Sequence, residues 1–413
     1  MKFFHLADLH FGKTIHGYSM IEMGDQIHWM EELLKKAEEL RPDGVLISGD
    51  IYDRAVPSKE AVRLFDELLT RLAEQKIAVL MIAGNHDSGS RLAFADQLLR
   101  HQKIYIAGEL RGQISHVTME DSYGPVTFWL LPYFFPAAAG AVLEREDLKD
   151  YDSSMRAVLE NQKIDFSKRN ILLSHQFVVS GGEKPLMGGS ETTVGGIGQI
   201  DASVFEGFDY VALGHIHRAQ AMGKKEIRYA GSPLVYHFSE IGQKKGLTVV
   251  EIREKGTVEI SVEPLDVLHP MCEVRGTLEE ILAEPVEKNS YVKAAILQEL
   301  LPPGTVEILR SHFEAEECIL MEVVREPVSE KKRCESKTAA DIRSRSIEEL
   351  FTEFYGFVRN GDLPDGISER LIGYAAELTR NQSGDETEKE RAKSTEKLIA
   401  YAKELCRNEE SGL

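Results

Sequence analysis

Four cysteines stand in the 413 residues, Cys272, Cys318, Cys334 and Cys406, and no two share a C-x-x-C spacing. That excludes a disulfide framework and a cysteine-based zinc site, and it fits reduced thiols in the cytoplasm. Long apolar runs are also missing. Nothing approaches the ~18 residues of a membrane span, and His5 and Asp8 interrupt the opening MKFFHLADLHF too early for a secretion signal. Basic residues are in short supply: 49 Lys and Arg face 68 Asp and Glu, for a net charge of −19. Such a balance excludes blanket electrostatic gripping of nucleic acid, although it leaves room for a local DNA site. The deficit is uneven. Residues 1–264 carry 29 basic and 37 acidic side chains, 265–330 carry 5 and 14, and 331–413 carry 15 and 17. The middle segment is therefore the last place to seek a polyanion. A phosphate-cradling P-loop is absent too. Residues 181–198 hold seven glycines and read as a mobile loop, but they lack the G-K-[ST] ending.

What is present is an apolar fraction of 42%, enough for real cores, and a strand–helix alternation. Apolar runs at 2–7, 45–48 and 78–83 predict strands. Between them, spacings of three and four (Met23, Ile27, Met30, Leu33, Leu34, Ala37, Leu40, then Ala61, Leu64, Phe65, Leu68, Leu72) predict helices. Right-handed crossovers make such strands parallel. Further strands are expected at 171–174, 210–214, 247–252 and 258–262. Residues 266–327 read as a small α+β module. Residues 328–345 read as a polar, locally basic linker. Residues 346–413 read as helical, opened by a Ser346/Glu349 capping box and carrying Leu350, Phe351, Phe354 and Tyr355 on one apolar face.

Five strand ends carry ligand-type residues: Asp8 and His10; Asp50; Asn85 and His86; His175; His215 and His217. Carboxylate, amide and imidazole at successive strand ends, with only 13 histidines in the chain, point to a metal site at the carboxyl edge of a sheet. Alternation along a strand would aim Asp8 with His10, and His215 with His217, at one cavity. Mixed oxygen and nitrogen donors fit Mn²⁺, Fe or Zn better than an all-oxygen site. Two such cations ~3.5–4 Å apart would polarise a phosphoryl group and ionise a bridging water. They would also offset the acidic total with about +4 of local charge.

The order D-x-H, G-D-x-x-D, G-N-H-D and G-H-x-H resembles the calcineurin-like metallophosphoesterase superfamily. The segments His5–Gly12, Gly49–Arg54, Gly214–Gln220 and Gly231–Pro233 resemble its nuclease branch, which includes the meiotic recombination nucleases. The motif-bearing likeness covers about 1–265 and implies an α/β fold, a β-sandwich flanked by helices, with a capping domain at 266–327 and a C-terminal helical tail. It implies one metal on Asp8, His10, Asp50 and His217, and another on Asp50, Asn85, His175 and His215, most simply Mn²⁺. His86 is the implied catalytic histidine, with Asp87 orienting it; a position beside the metals lets His86 protonate the leaving 3′ oxygen. Asp53 is either a supporting group or a loop carboxylate. Lys13, His16, Arg54 and Arg91 flank the motifs and are candidates for DNA phosphates. The resemblance further implies a homodimer, a coiled-coil ATPase partner held by the C-terminal helices around Leu350, Phe351, Phe354 and Tyr355, and exonuclease and endonuclease activity on DNA in repair and recombination. Two other readings are weighed against it. One is a phosphoesterase for small phosphodiesters or phosphoproteins, though phosphoprotein phosphatases carry G-N-H-E where Asp87 makes G-N-H-D. The other is a non-catalytic scaffold, which all seven filled ligand positions argue against.

Overall fold

The computed structural model describes residues 1–188, 198–298 and 301–326. Part of the glycine-rich loop and the whole of 327–413 lie outside these residues, as do the expected linker, the tail helices and Leu350, Phe351, Phe354 and Tyr355 with them.

Two six-stranded sheets face each other. The first runs Val258–Glu263, Leu247–Ile252, Lys2–Leu6, Gly44–Ser48, Ala78–Ile82, Ile104–Ala107. Its last four strands are parallel, and Leu247–Ile252 joins Lys2–Leu6 antiparallel. The second runs Gln220–Met222, Lys224–Tyr229, Tyr210–Gly214, Arg169–His175, Gly124–Leu131, Ser115–Asp121, again with four parallel strands at its centre and antiparallel edges. The parallel strands Gly44–Ser48, Ala78–Ile82 and Tyr210–Gly214 are buried on both faces, which is why they read as apolar runs.

Alternation along each strand divides its side chains between two layers. Phe3, Leu46, Leu80, Phe128, Ile171 and Tyr210 meet between the sheets. Phe4, Val45, Val79 and their neighbours pack outward under helices Asp25–Leu40 and Lys59–Glu74. Helices Pro136–Leu143 and Tyr151–Glu160 cover the second sheet in the same way. The Ser58 hydroxyl caps helix Lys59–Glu74 by accepting from Ala61 N.

Residues 271–326 form a separate three-stranded parallel sheet, Met271–Gly276, Tyr291–Leu297 and Ile319–Glu326, crossed by helices Leu278–Ala283 and Thr305–Ala315 around Val274, Ile281, Ile296, Leu309 and Phe313. Residues 1–326 belong to one compact unit, and a buried contact secures the small sheet within it. Asp25, at the start of helix Asp25–Leu40, accepts from the Tyr291 hydroxyl at 2.5 Å, and His269 Nδ1 lies 3.0 Å from its other oxygen.

Candidate metal centre

All five strand ends converge at one edge of the sandwich. Loops after Lys2–Leu6 and Gly44–Ser48 run side by side: Asp8 N donates to Gly49 O at 3.0 Å, His10 N to Asp50 O at 3.0 Å and Phe11 N to Ile51 O at 2.9 Å. Asp8, His10, Asp50 and His215 all sit in the left-handed region, with φ of 55°, 44°, 50° and 100°. Side-chain-bearing residues adopt it rarely, at roughly 1–3 kcal/mol each, and such residues gather at functional sites. The expected strand alternation is therefore not what aligns Asp8 with His10 or His215 with His217. The strands stop at Leu6 and Gly214, and left-handed turns beyond them redirect the side chains. Gly84 faces Asp50 so closely that a Cβ there would collide with its carboxylate.

At the floor, His10 Nε2 and His217 Nε2 point at each other across 3.1 Å. Asp50 Oδ2 lies 3.3 Å from His175 Nε2 and 3.8 Å from His10 Nε2. Asn85 Oδ1 is 3.0 Å from both His175 Nε2 and His215 Nδ1. Asp8 accepts from His215 N at 2.9 Å, so residues from both sheets interlock. Asp8, His10, Asp50, His175 and His217 are buried, whereas Asn85 and His86 are exposed at the mouth. Ligand atoms of Asp8, His10 and His217, and of Asp8, Asp50 and His175, lie close enough to share a cation.

Tautomers support that reading. His175 Nδ1 donates to Ser48 O at 2.7 Å, which leaves Nε2 as the nitrogen that faces the cluster. His217 Nδ1 lies 3.2 Å from Glu240 Oε1, the carboxylate–histidine arrangement that orients a metal-ligating ring. Glu240 is fully buried, and Lys245 Nζ bonds its other oxygen at 2.8 Å, together with His217 O at 2.9 Å and Ser232 Oγ at 2.8 Å. Sequence reasoning missed Glu240 and Lys245. They follow G-S-P in an irregular segment, where no periodicity marks them.

Burial and close charges shift the titrating groups of the cluster in opposite directions. Burial pushes the Asp8 carboxyl up to about 6, with Asp50 adding to it against His175 and His217. Burial would raise Asp50 too, but the imidazoles of His175 and His10 outweigh it and hold that carboxyl far below the ordinary range. His175 is held up at about 9, since Asp50 and Asp8 overcome the effect of burial. Burial lowers His10 well below its usual value and takes His215 to about 3, so both are neutral donors at physiological pH. Among the described residues, the donor set fits divalent cations once His175 gives up its proton: imidazoles, an amide oxygen and two carboxylates, with the His10 and His217 nitrogens too close for two N–H groups.

His86 stands over this floor. Its backbone N donates to Asp50 Oδ1 at 2.8 Å, and its ring Nδ1 lies 2.9 Å from Asp53 O. Asp87 does not orient that ring, contrary to expectation. Its carboxylate accepts from Gly84 N (2.9 Å), Tyr52 N (3.0 Å) and Ile51 N (3.1 Å), tying the G-N-H-D turn to the loop after Asp50. Asp53 takes Lys13 Nζ at 2.8 Å, and Arg54 Nε lies 3.7 Å from it. Lys13 is thus paired, while Arg54 and Arg91 are exposed. His16 is turned toward the small sheet, 3.9 Å from Glu322 and against the Phe238 ring.

Residues 1–219 match the calcineurin-like phosphoesterase family. The chain is 32% identical over 301 residues to SbcD of the nuclease SbcCD from Staphylococcus epidermidis, a span of 70% of this chain and 77% of that protein.

Proposed function

The chain belongs to the calcineurin-like phosphoesterase family, and we propose that it is a two-metal DNA phosphodiesterase, the nuclease subunit of an SbcCD-type complex. One cation is assigned to Asp8, His10, Asp50 and His217, the other to Asp50, Asn85, His175 and His215. The observation that carries this is the facing pair of buried nitrogens, His10 Nε2 and His217 Nε2 at 3.1 Å, beside an Asn85 oxygen shared by two further imidazoles. Such a cluster suits a cation that its nitrogens and carboxylates can ligate together. Two divalent ions, Mn²⁺ in this reading, supply Lewis acidity and local positive charge beside a phosphodiester.

His86 supplies the proton. Its Nδ1–H is committed to the Asp53 carbonyl, which leaves Nε2 to protonate the departing 3′ oxygen. Asp87 acts through the backbone by holding the His86 turn against the Asp50 loop. Arg54 and Arg91, both exposed, meet DNA phosphates in this reading, and Lys13 does so only by leaving Asp53.

The substrate reading is 3′→5′ exonuclease action on duplex DNA and endonuclease action on single strands and hairpins, in the cytoplasm. Residues 1–265 form the catalytic domain and 266–327 the cap. ATP dependence comes from an SbcC-type coiled-coil ATPase bound through Leu350, Phe351, Phe354 and Tyr355. A homodimer through the catalytic domain accounts for Phe94 and Leu98, 81% and 71% exposed. The test is cleavage of hairpin and linear duplex DNA with Mn²⁺ or Mg²⁺, with and without the ATPase. Plasmid nicking without cyclic-nucleotide hydrolysis is the expected result; the reverse overturns the DNA reading.

A further inference from the structure

The metal floor has a neighbour that the reaction has not used. A cavity of about 360 Å³ opens beside it, lined by Asn85, Gly89, Gly108, Glu109, Tyr133 and Phe135 among others. Asn85 belongs both to this cavity and to the metal cluster, so whatever fills the cavity abuts the scissile phosphodiester. We propose that it is a nucleobase pocket, in which Phe135 stacks on the base of the nucleotide flanking the bond to be cut. This rests on the nuclease reading above and names a substrate contact within it.

Three features make the pocket a platform. Phe135 is 59% exposed, a large ring left in water at the edge of the site. It precedes Pro136, which confines it to extended backbone (φ −92°, ψ 153°) and so fixes its aim. Tyr133 braces it edge to face, with ring centroids 5.1 Å apart. Tyr133 is itself pinned: its N–H donates to Ala83 O at 2.9 Å, its hydroxyl lies 3.1 Å from that of Tyr151, and its ring centroid is 6.2 Å from that of His175. Gly89 and Gly108 meet backbone to backbone, where a Cβ on either would strike the other's carbonyl. A flat wall results.

Chemistry selects a base over a phosphate. None of the described lining residues is Lys or Arg. Asp87 is saturated by three backbone N–H groups, and Glu109 stands exposed at the rim. A carboxylate repels phosphate but accepts from the exocyclic amino group of cytosine or adenine. Aromatic rings stack on any base face.

Single-stranded oligonucleotides with Mn²⁺ test this, one carrying a normal cytidine and one a tetrahydrofuran abasic residue at the cleaved position. The wild-type protein should favour the base-bearing strand by about tenfold in kcat/KM, the scale of one base–aromatic stack, mostly through KM. Phe135→Ala should shrink that preference to under about twofold, and Phe135→Trp should keep it. A preference that persists in Phe135→Ala, or a wild-type protein indifferent to the missing base, overturns the pocket and leaves the nuclease reading standing. A wild-type protein that cuts neither strand overturns both.

Discussion

Replacing Glu240 by Gln should separate what holds the metal from what holds the fold. Glu240 is fully buried between His217 Nδ1 at 3.2 Å and Lys245 Nζ at 2.8 Å. Burial alone would raise its carboxyl, but the His217 hydrogen bond and the Lys245 ammonium outweigh that and bring it down to about 2. The amide removes the charge that makes His217 Nε2 a strong donor. Loss of such a partner weakens metal binding 10–100-fold, or about 1.4–2.8 kcal/mol. It also removes the carboxylate charge that Lys245 Nζ bonds at 2.8 Å. Breaking a buried pair costs about 3–5 kcal/mol, and the lower end applies because Lys245 keeps neutral acceptors in His217 O, Ser232 Oγ and Gln243 Oε1. Calorimetric titration of Mn²⁺ into the metal-free protein reads the first effect, and thermal unfolding reads the second. Adding Lys245→Met to Glu240→Gln should restore most of the melting temperature and none of the affinity. Metal binding within twofold of wild type in Glu240→Gln would refute the argument.

Other outcomes follow from the same geometry. His86→Ala should bind Mn²⁺ like the wild type and cut DNA 10²–10⁴-fold more slowly; cleavage at the wild-type rate would contradict its role. Removing metal with a chelator should lower the melting temperature, because ligands from both sheets share the ions; at a metal concentration of 100 Kd the bound ion contributes about 2.7 kcal/mol. Tyr291→Phe removes a hydrogen bond to the buried Asp25 carboxylate, worth about 1.5–3 kcal/mol. Hydrogen exchange should rise in Met271–Gly276 and Tyr291–Leu297 and stay unchanged in Gly44–Ser48. Asp121 is held well below the usual carboxylate value by its Arg169 hydrogen bond and by the N-terminal amine. Its stabilising effect is thus complete above its unfolded value and lost as pH falls through the folded one. Asp121→Asn should melt lower at pH 7, and the gap to wild type should begin to close below about pH 4 and vanish only below the folded value.

The chain announced its site more clearly than its scaffold. Asp8, His10, Asp50, His175 and His217 stand out because buried strand ends do not attract such residues without a use for them. The fully buried parallel strands Gly44–Ser48, Ala78–Ile82 and Tyr210–Gly214 were equally plain, since burial on both faces leaves near-continuous apolar runs. Ser115–Asp121 and Gly124–Leu131 went unread despite the alternating exposure of the first, a period-two signal diluted by charged and hydroxyl residues. The left-handed turns at Asp8, His10 and Asp50 leave no mark in composition, because only φ distinguishes them. Glu240 reaches His217 through tertiary packing alone, which no local pattern records. Asp87 shows the limit of motif logic: its place in G-N-H-D was legible, but three backbone amides rather than His86 claim its carboxylate.

Asp8, His10, Asp50 and Asn85 come from the first sheet's loops, and His175, His215 and His217 from the second's, so more than 200 residues separate the earliest ligand from the last. A nascent chain leaving the ribosome carries half a pocket until its second sheet has been synthesised and docked. The same holds for any proteolytic fragment that ends before His175. Hydrolytic competence of this centre therefore arrives late in biosynthesis, because an incomplete copy lacks the second sheet's share of the donor set.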